Sequence, residues 1–253
     1  MTGLLDLSDV SRSFGSLKAV DGVTTSIAAG EIRGLIGPNG AGKTTVVNLI
    51  SGFIPLTGGM IELDGLRLDR IPAHARVHHG IGRTFQTPQL CPTMSVLDNV
   101  VVGAHKRLAT ARFRNLRARS SLSSLRSEAA NRAKQVGLGD LLHAHAGGLS
   151  YGHMRLLEIA RALMGSPRLL LLDEPVAGMN EVESDEVATI VRELPQAGTT
   201  VLVIEHDMPF VMGLCDRITV LDHGDVIAEG TPAEVQADPR VEEVYLGTLG
   251  DEG

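Results

Sequence analysis

Residues 37–45 combine the residue types that bind a nucleotide phosphate. They read Gly-Pro-Asn-Gly-Ala-Gly-Lys-Thr-Thr and match the pattern G-x-x-x-x-G-K-[ST] at every fixed position. Glycines let the backbone aim its amide groups into one cradle, lysine adds positive charge at the β- and γ-phosphates, and threonine offers a hydroxyl to Mg²⁺. The residues predicted to make these contacts are Gly37, Pro38, Asn39, Gly40, Ala41, Gly42, Lys43, Thr44 and Thr45.

Two carboxylates follow an apolar run later in the chain. Leu169–Leu172 predicts a buried strand, and Asp173 and Glu174 come directly after it. Ligands of α/β proteins bind at the carboxyl ends of the strands, so these side chains should lie beside the phosphate-binding loop. We expect Asp173 to hold Mg²⁺, usually through a water, and Glu174 to polarise an attacking water as the general base.

Strands and helices alternate along the rest of the chain. The predicted strands are Leu4–Phe14, Val20–Ile27, Glu31–Gly37, Gly59–Asp64, Leu169–Asp173, Thr200–Glu205, Arg217–Leu221 and Asp225–Ala228. The predicted helices are Lys43–Ser51, Tyr151–Gly165, Glu181–Leu194 and Met208–Leu214. This alternation predicts a parallel sheet covered on both faces, with the first two strands paired antiparallel.

Composition excludes several classes of protein. The 253 residues suit one domain, or one domain with a small added lobe. A net charge of −7 and only 3% aromatic residues argue against nucleic acid as a partner. Cys91 and Cys215 form neither a disulfide scaffold nor a zinc site, and no segment predicts a signal peptide or a membrane span. We therefore expect a cytosolic chain that reaches a membrane only through partners.

One segment departs from this acidic balance. Between His105 and Gln135 lie nine basic residues and one acidic residue, a net charge of +8. The pattern predicts helix with a break at Ser120–Ser124. A solvated helical face and a surface near anionic lipid headgroups or a membrane partner are both compatible with it.

Residues 149–153, Leu-Ser-Tyr-Gly-His, distinguish this chain from other proteins with such a loop. They resemble the Leu-Ser-Gly-Gly-Gln signature of the ATP-binding cassette (ABC) ATPases. Further elements of that family appear in the expected order. Gln86 resembles the Q-loop glutamine, residues 177–180 the D-loop, His206 the switch histidine, and Phe14 the aromatic residue that stacks on adenine. The resemblance extends from about Leu4 to Leu249.

The resemblance implies an α/β fold of the P-loop NTPase, ABC-ATPase type. This fold has a RecA-like core sheet, an antiparallel β subdomain and an inserted α-helical subdomain. Residues 1–86 and 150–253 would form the core and β subdomain, and residues 87–149 the helical subdomain. The cofactors would be ATP and Mg²⁺. The implied roles are catalysis for Glu174, His206 and Gln86, metal binding for Thr44, Gln86 and Asp173, and binding of the partner subunit's ATP for Ser150, Tyr151 and Gly152.

Within the family, the chain is most similar to the ATPases of high-affinity branched-chain amino acid importers. The markers are Arg83-Thr84-Phe85-Gln86, the tyrosine in the signature, residues 177–180, residues 205–208 and the tail at residues 229–247. The implied partners are a second ABC ATPase subunit, two transmembrane permease subunits and, indirectly, a substrate-binding protein. The implied location is peripheral, on the cytoplasmic face of the inner membrane.

Three positions depart from the family pattern, and three other functions stay open. Tyr151, His153 and Asn180 replace Gly, Gln and Asp. Tyrosine and asparagine occur in the importer subgroup, and His153 affects only the fine tuning of the signature. The alternatives are the ATPase of a urea or amide importer, that of a lipopolysaccharide exporter, and a soluble ABC ATPase without a transport role.

Overall fold

The computed structural model describes residues 3–105, 107–108 and 118–247. Its strands are β1 (Leu5–Phe14), β2 (Leu17–Ile27), β3 (Ile32–Ile36), β4 (Gly58–Leu63), β5 (Leu66–Arg67), β6 (Ile81–Arg83), β7 (Leu169–Asp173), β8 (Thr200–Ile204), β9 (Arg217–Asp222) and β10 (Asp225–Gly230). Its α-helices are α1 (Lys43–Ser51), α2 (Ala73–Arg76), α3 (Val96–Val102), α4 (Ala118–Gln135), α5 (Tyr151–Leu163), α6 (Glu181–Glu193), α7 (Met208–Leu214), α8 (Pro232–Gln236) and α9 (Pro239–Gly247).

Six strands form the larger sheet, in the order β10-β9-β3-β8-β7-β6. All neighbouring pairs are parallel except β10 and β9, which form a hairpin. Strands β3, β7 and β8 are buried at every position, as expected for parallel strands covered on both faces. Their register places the carboxyl ends of β3, β8 and β7 side by side, which confirms the predicted parallel sheet.

The smaller sheet is antiparallel and has the order β2-β1-β4-β5. Apolar residues of β1, β2 and β4 share one hydrophobic cluster with the buried face of α1. Alternate residues of β1 near its start, Leu5 and Leu7, point into that cluster, which is the period-2 pattern of a strand with one buried face. The antiparallel pairing predicted for the first two strands is confirmed.

Helices α3, α4 and α5 pack against one another and form a helical layer at one end of the larger sheet. Helix α4 contributes Leu125, Ala129 and Ala133, all buried and spaced four residues apart on one helical face. The chain enters this layer after β6 and returns to the sheet at β7. The fold class is therefore the predicted one, with a core sheet, an antiparallel sheet and inserted helices.

The predicted helix break at Ser120–Ser124 is wrong. Helix α4 runs without interruption from Ala118 to Gln135. Serine is a poor helix former, but the buried face of α4 gains more from packing than the serines lose in propensity. Residue 106 and residues 109–117 of the basic segment lie outside the described residues. Among the helices that are described, none is both long and apolar enough to cross a membrane.

Other differences from the predicted elements have local causes. Strand β6 was not predicted because it has only three residues, one of them glycine. Strand β2 begins three residues earlier than expected, since Phe14 pairs with Leu17 across a tight turn. Gly15 has a positive φ of 61° there, a conformation that glycine adopts without strain.

A buried arginine connects the two sheets. Arg33 on β3 is 2% exposed and pairs with Glu31 and with Glu229 of β10. It also donates to the Thr219 hydroxyl at 2.9 Å and to the Ser26 carbonyl of β2 at 3.0 Å. One guanidinium therefore holds three strands of the larger sheet and one strand of the smaller sheet.

We expect Arg33→Met to lower the free energy of unfolding by about 3–5 kcal/mol, because it leaves Glu31 and Glu229 without their buried countercharge. Arg168→Met is the matched control, since Arg168 forms an exposed ion pair with Asp64 and should lose about 1 kcal/mol or less. Urea unfolding followed by circular dichroism measures both. Equal losses for the two variants would contradict the role given to Arg33.

Candidate nucleotide site

The phosphate-binding loop connects β3 to α1 and depends on glycine at two positions. Gly37 and Gly42 have φ angles of 147° and 101°. A Cβ atom would lie 2.0 Å from the Leu221 carbonyl oxygen at the first position, and 2.4 Å from the Ala19 carbonyl oxygen at the second. Both contacts are with backbone and cannot be relieved by moving a side chain. Only glycine therefore allows this loop to form the cradle predicted from the sequence.

Lys43 begins α1 and returns over the loop. Its ammonium donates to the carbonyl oxygens of Gly37 at 2.6 Å and Pro38 at 2.8 Å. Burial lowers the pKa of the Lys43 ammonium below its ordinary value, and the nearby Glu174 carboxylate opposes this effect. Thr44 and Thr45 follow in the first turn of α1, where free backbone amides and the helix dipole attract anions. The cluster combines fixed positive charge with donors suited to phosphate oxygens.

The two predicted carboxylates lie at the end of β7. Asp173 is buried at the end of the strand, and Glu174 follows with a positive φ of 48°. The Glu174 amide donates to the Ile204 carbonyl of β8 at 2.9 Å. Gln86 Nε2 donates to Glu174 Oε2 at 2.9 Å. The structure thus brings together two predicted catalytic residues that are 88 positions apart in sequence.

Arg83 is part of this site, although the sequence analysis assigned it no role beyond the family marker at residues 83–86. Its guanidinium donates to Asp173 Oδ2 at 3.0 Å, to Asn48 Oδ1 at 2.7 Å and to Ser51 Oγ at 2.8 Å. Asn48 and Ser51 lie at the end of α1. Arg83 therefore fixes the distance between the Asp173 carboxylate and the helix that begins at the phosphate loop.

His206 follows β8, as predicted, but its ring is 66% exposed. The preceding residue, Glu205, is buried and accepts hydrogen bonds from the amides of His206 at 2.9 Å and Val176 at 3.1 Å. Burial raises the pKa of Glu205, and the amides that donate to it oppose this rise. The sequence analysis named Glu205 only as part of the family marker at residues 205–208. Its carboxylate connects the backbone at Val176, which follows the Asp173–Glu174 pair, to the backbone at His206.

The signature-like segment begins α5, away from the phosphate loop. Ser150 caps the helix by accepting from the His153 amide at 3.2 Å. Tyr151 turns its hydroxyl towards Arg155, 2.9 Å away. A Cβ at Gly152 would lie 3.1 Å from Glu183 of α6, so glycine suits this close packing. Across residues 3–105, 107–108 and 118–247, no hydrogen bond joins residues 150–152 to residues 37–45.

Phe14 lies on the β1–β2 hairpin and is half-exposed. The Arg12 guanidinium stacks 4.5 Å from the centre of its ring. Strand β2 continues to Ala19, whose carbonyl oxygen lies against Gly42 of the phosphate loop. The hairpin that carries Phe14 therefore borders the loop, and the stacking of adenine on Phe14 stays a prediction.

Tyr245 of α9 is a further residue that the sequence analysis did not assign to the site. Burial raises the pKa of its hydroxyl, and a hydrogen bond with the Gly37 backbone opposes this rise. The last described helix thus reaches the first residue of the phosphate loop. The tail at residues 229–247 gave a family marker but no indication of this contact.

Family models identify two parts of the chain. A model described as ABC transporter matches residues 20–177, which is more than half of the chain. A second model, described as branched-chain amino acid ATP-binding cassette transporter, matches residues 226–250. The first match includes the phosphate loop, the signature-like segment and both carboxylates, and the second includes Tyr245.

Relatives match the chain along nearly its whole length. The high-affinity branched-chain amino acid transport ATP-binding protein BraF of Pseudomonas aeruginosa is 40% identical over 249 residues, which cover 96% of this chain and 98% of BraF. The corresponding protein LivG of Escherichia coli K12 is 41% identical over 249 residues, with the same coverage.

Solved structures show the same fold. A nucleotide-free ATP-binding cassette of an ABC transporter superposes with a TM-score of 0.85 at 33% identity, covering 96% of this chain and 98% of that one. The ADP conformation of MJ1267, also a cassette of an ABC transporter, gives 0.85 at 33% identity, covering 98% of this chain and 100% of that one. By fold, motifs and sequence identity, the chain belongs to the ABC transporter family, as one of its ATP-hydrolysing subunits.

Proposed function

We propose that this chain powers the import of branched-chain amino acids by binding and hydrolysing ATP beneath a membrane permease. The observation that carries the proposal is the cluster of Lys43, Gln86, Asp173 and Glu174 around a glycine-dependent phosphate cradle. The cargo is inferred from BraF and LivG, whose names state branched-chain amino acid transport, and from the family model that matches residues 226–250.

ATP would bind with its phosphates in the cradle formed by residues 37–45 and its adenine on Phe14. Each contact there suits an anion, because the backbone amides, the Lys43 ammonium and the start of α1 all present positive charge. Thr44, Gln86 and Asp173 would hold Mg²⁺, since hydroxyl, amide and carboxylate oxygens are the ligands that this ion prefers. Bound Mg²⁺ would neutralise charge on the phosphate oxygens.

Glu174 would act as the general base towards the attacking water. Its hydrogen bond to Gln86 orients the carboxylate. Gln86 would help to place the water, and His206 would contact the γ-phosphate from the end of β8. Charge delocalised over the phosphate oxygens would be balanced by Lys43 and by the amides of the loop.

The signature-like segment would serve a second ATP molecule. Ser150, Tyr151 and Gly152 lie at the start of a 13-residue helix, which favours an anion, but no hydrogen bond joins them to this chain's own phosphate loop among the residues that the structure describes. They would therefore bind the ATP held by a second ATPase subunit. Two chains with two ATP molecules between them would complete both sites.

A cleft between the sheet and the helical layer would receive the permease. Its volume is about 580 Å³, and its walls are mainly apolar. Phe53 and Phe85 contact edge-to-face on one side, and Val102 of α3 lies on the other. Residues 87–149 would form the helical subdomain that carries the far wall, and residues 1–86 and 150–253 the catalytic body. A permease segment seated there would hold the chain at the cytoplasmic face of the membrane, where a separate substrate-binding protein supplies cargo.

Glu174→Gln should lower ATP hydrolysis by at least ~100-fold, because the amide keeps the shape but cannot take a proton. Affinity for ATP should stay within about twofold, since the phosphate cradle is untouched. Uptake of labelled leucine, isoleucine and valine should collapse in cells that depend on the variant. Glu193→Gln, an exposed glutamate at the end of α6, is the control for hydrolysis and uptake.

The two readouts test different parts of the proposal. Persisting hydrolysis in the Glu174→Gln variant would remove Glu174 from the role of base. Unchanged amino acid uptake together with lost hydrolysis would leave the ATPase assignment standing and would refute the cargo.

Val102→Glu should weaken binding of the chain to its permease while leaving ATP hydrolysis by the chain intact. Val102 is 41% exposed in the cleft wall, so a carboxylate there would meet an apolar partner surface without disturbing the core. Leu66→Glu is the control, because Leu66 is similarly exposed, at 40%, on β5 of the other sheet. Co-purification with the permease should fall at least ~10-fold for Val102→Glu only. Equal retention of both variants would show that the permease docks elsewhere.

A further inference from the structure

Tyr151 replaces a glycine of the family signature, and the structure gives its side chain a specific contact. The tyrosine is 44% exposed, yet its hydroxyl lies 2.9 Å from Arg155 Nη2. The Arg155 guanidinium also lies 5.2 Å from the centre of the tyrosine ring. The residue that departs from the family pattern is thus attached, by both its ring and its hydroxyl, to one buried cation one helical turn further along α5.

Arg155 in turn holds the two backbone carbonyl groups on either side of the Gln86 Cα. It is 2% exposed, and its two terminal nitrogens donate to the carbonyl oxygens of Phe85 and Gln86. Glu158 lies 3.8 Å away on the same helix and provides the countercharge. A guanidinium presents its donors in a fixed plane, so its position sets the orientation of both carbonyl groups. A lysine has no such plane and cannot reach two carbonyls and a hydroxyl in this arrangement.

The same backbone carries the side chain that touches the proposed base. Gln86 Nε2 donates to Glu174 Oε2 at 2.9 Å. A continuous set of contacts therefore runs from the Tyr151 hydroxyl through Arg155 to the Gln86 main chain, and through the Gln86 side chain to Glu174. One end lies beside the start of α5, and the other lies at this chain's own phosphate cradle.

We propose that Tyr151 and Arg155 are positioning residues that orient Gln86, and through it Glu174, according to the placement of the start of α5. The proposal rests on the proposed function, in which that helix start contacts the partner subunit's ATP. Occupancy of the second nucleotide site is then transmitted to the carboxylate of the first by displacement of one guanidinium. A glycine at position 151 provides neither the hydroxyl nor the ring, so this connection is specific to the tyrosine.

The decisive variant is Tyr151→Phe, which removes one oxygen atom and keeps the ring over the guanidinium. Affinity of the full chain for a fluorescent ATP analogue should stay within about twofold, because the phosphate cradle is untouched. The kcat of ATP hydrolysis should fall about fivefold to tenfold with KM within about twofold, which is the scale of one lost hydrogen bond of ordinary strength. Cooperativity between the two ATP sites should weaken.

Hydrogen exchange provides a readout independent of turnover. In the wild type, ATP with Mg²⁺ should slow amide exchange in the peptide that contains Phe85, Gln86 and Thr87. In Tyr151→Phe this protection should fall at least about threefold, because the backbone is less firmly held. Arg155→Lys should show the same pattern with a larger loss. Arg168→Lys, an exposed arginine paired with Asp64, is the matched control and should behave as the wild type.

The outcomes separate the two proposals. Wild-type kcat and wild-type exchange in Tyr151→Phe would refute the positioning role and leave the ATPase assignment intact. A wild-type chain that neither binds nor hydrolyses ATP would refute the proposed function itself. A lower affinity for the fluorescent analogue in Tyr151→Phe would assign the hydroxyl to nucleotide binding rather than to positioning and would also overturn the proposal.

Discussion

The rest of the structure depends on a close approach of backbone segments around the phosphate loop. Gly37 lies against the Leu221 carbonyl of the larger sheet, and Gly42 lies against the Ala19 carbonyl of the smaller one. The Gly224 amide donates to the Ala41 carbonyl at 3.0 Å, which ties the β9–β10 turn to the same loop. A side chain at either glycine would push the sheets apart. The shape of the cradle and the assembly of the two sheets are therefore one steric constraint.

Buried arginines connect the elements that this constraint brings together. Arg76 donates to the Leu49 and Ile50 carbonyls and satisfies the end of α1, and Arg83 joins the same end to Asp173. Arg155 holds the backbone of Gln86. A buried guanidinium is costly unless its donors are satisfied, so each of these residues is stable only while its partners keep their places. This dependence makes the arrangement rigid. It also means that a displacement of one partner is transmitted to the other partners of the same guanidinium.

The sequence was informative wherever function depends on a short contiguous pattern. Residues 37–45 predict the loop, the strand before it and α1, because glycine spacing and strand–helix order are local properties. It was less informative about contacts between distant segments. Nothing near Arg83 indicates that it pairs with Asp173, 90 positions later, or that Glu205 holds the Val176 amide. These partners follow from the parallel sheet, which places the carboxyl ends of β6, β7 and β8 side by side.

Local propensity also failed where tertiary packing decides. The serines at 120–124 predicted a break, but the buried face of α4 keeps the helix continuous. The resemblance to the ABC ATPases correctly supplied the fold class, while the roles of individual residues remain proposals tested by the variants above.

The separation of the two proposed anion-binding segments within one chain has a consequence for mechanism. The phosphate loop lies at the end of β3, whereas Ser150 begins α5, and no hydrogen bond connects residues 150–152 to that described loop. If both segments bind the phosphates of one ATP molecule, they must come from different chains. The contacts that run from Tyr151 through Arg155 and Gln86 to Glu174 would then connect the two nucleotide sites within each chain. They would make the carboxylate of one site sensitive to nucleotide in the other, because the guanidinium that contacts Tyr151 also holds the backbone beside the proposed base.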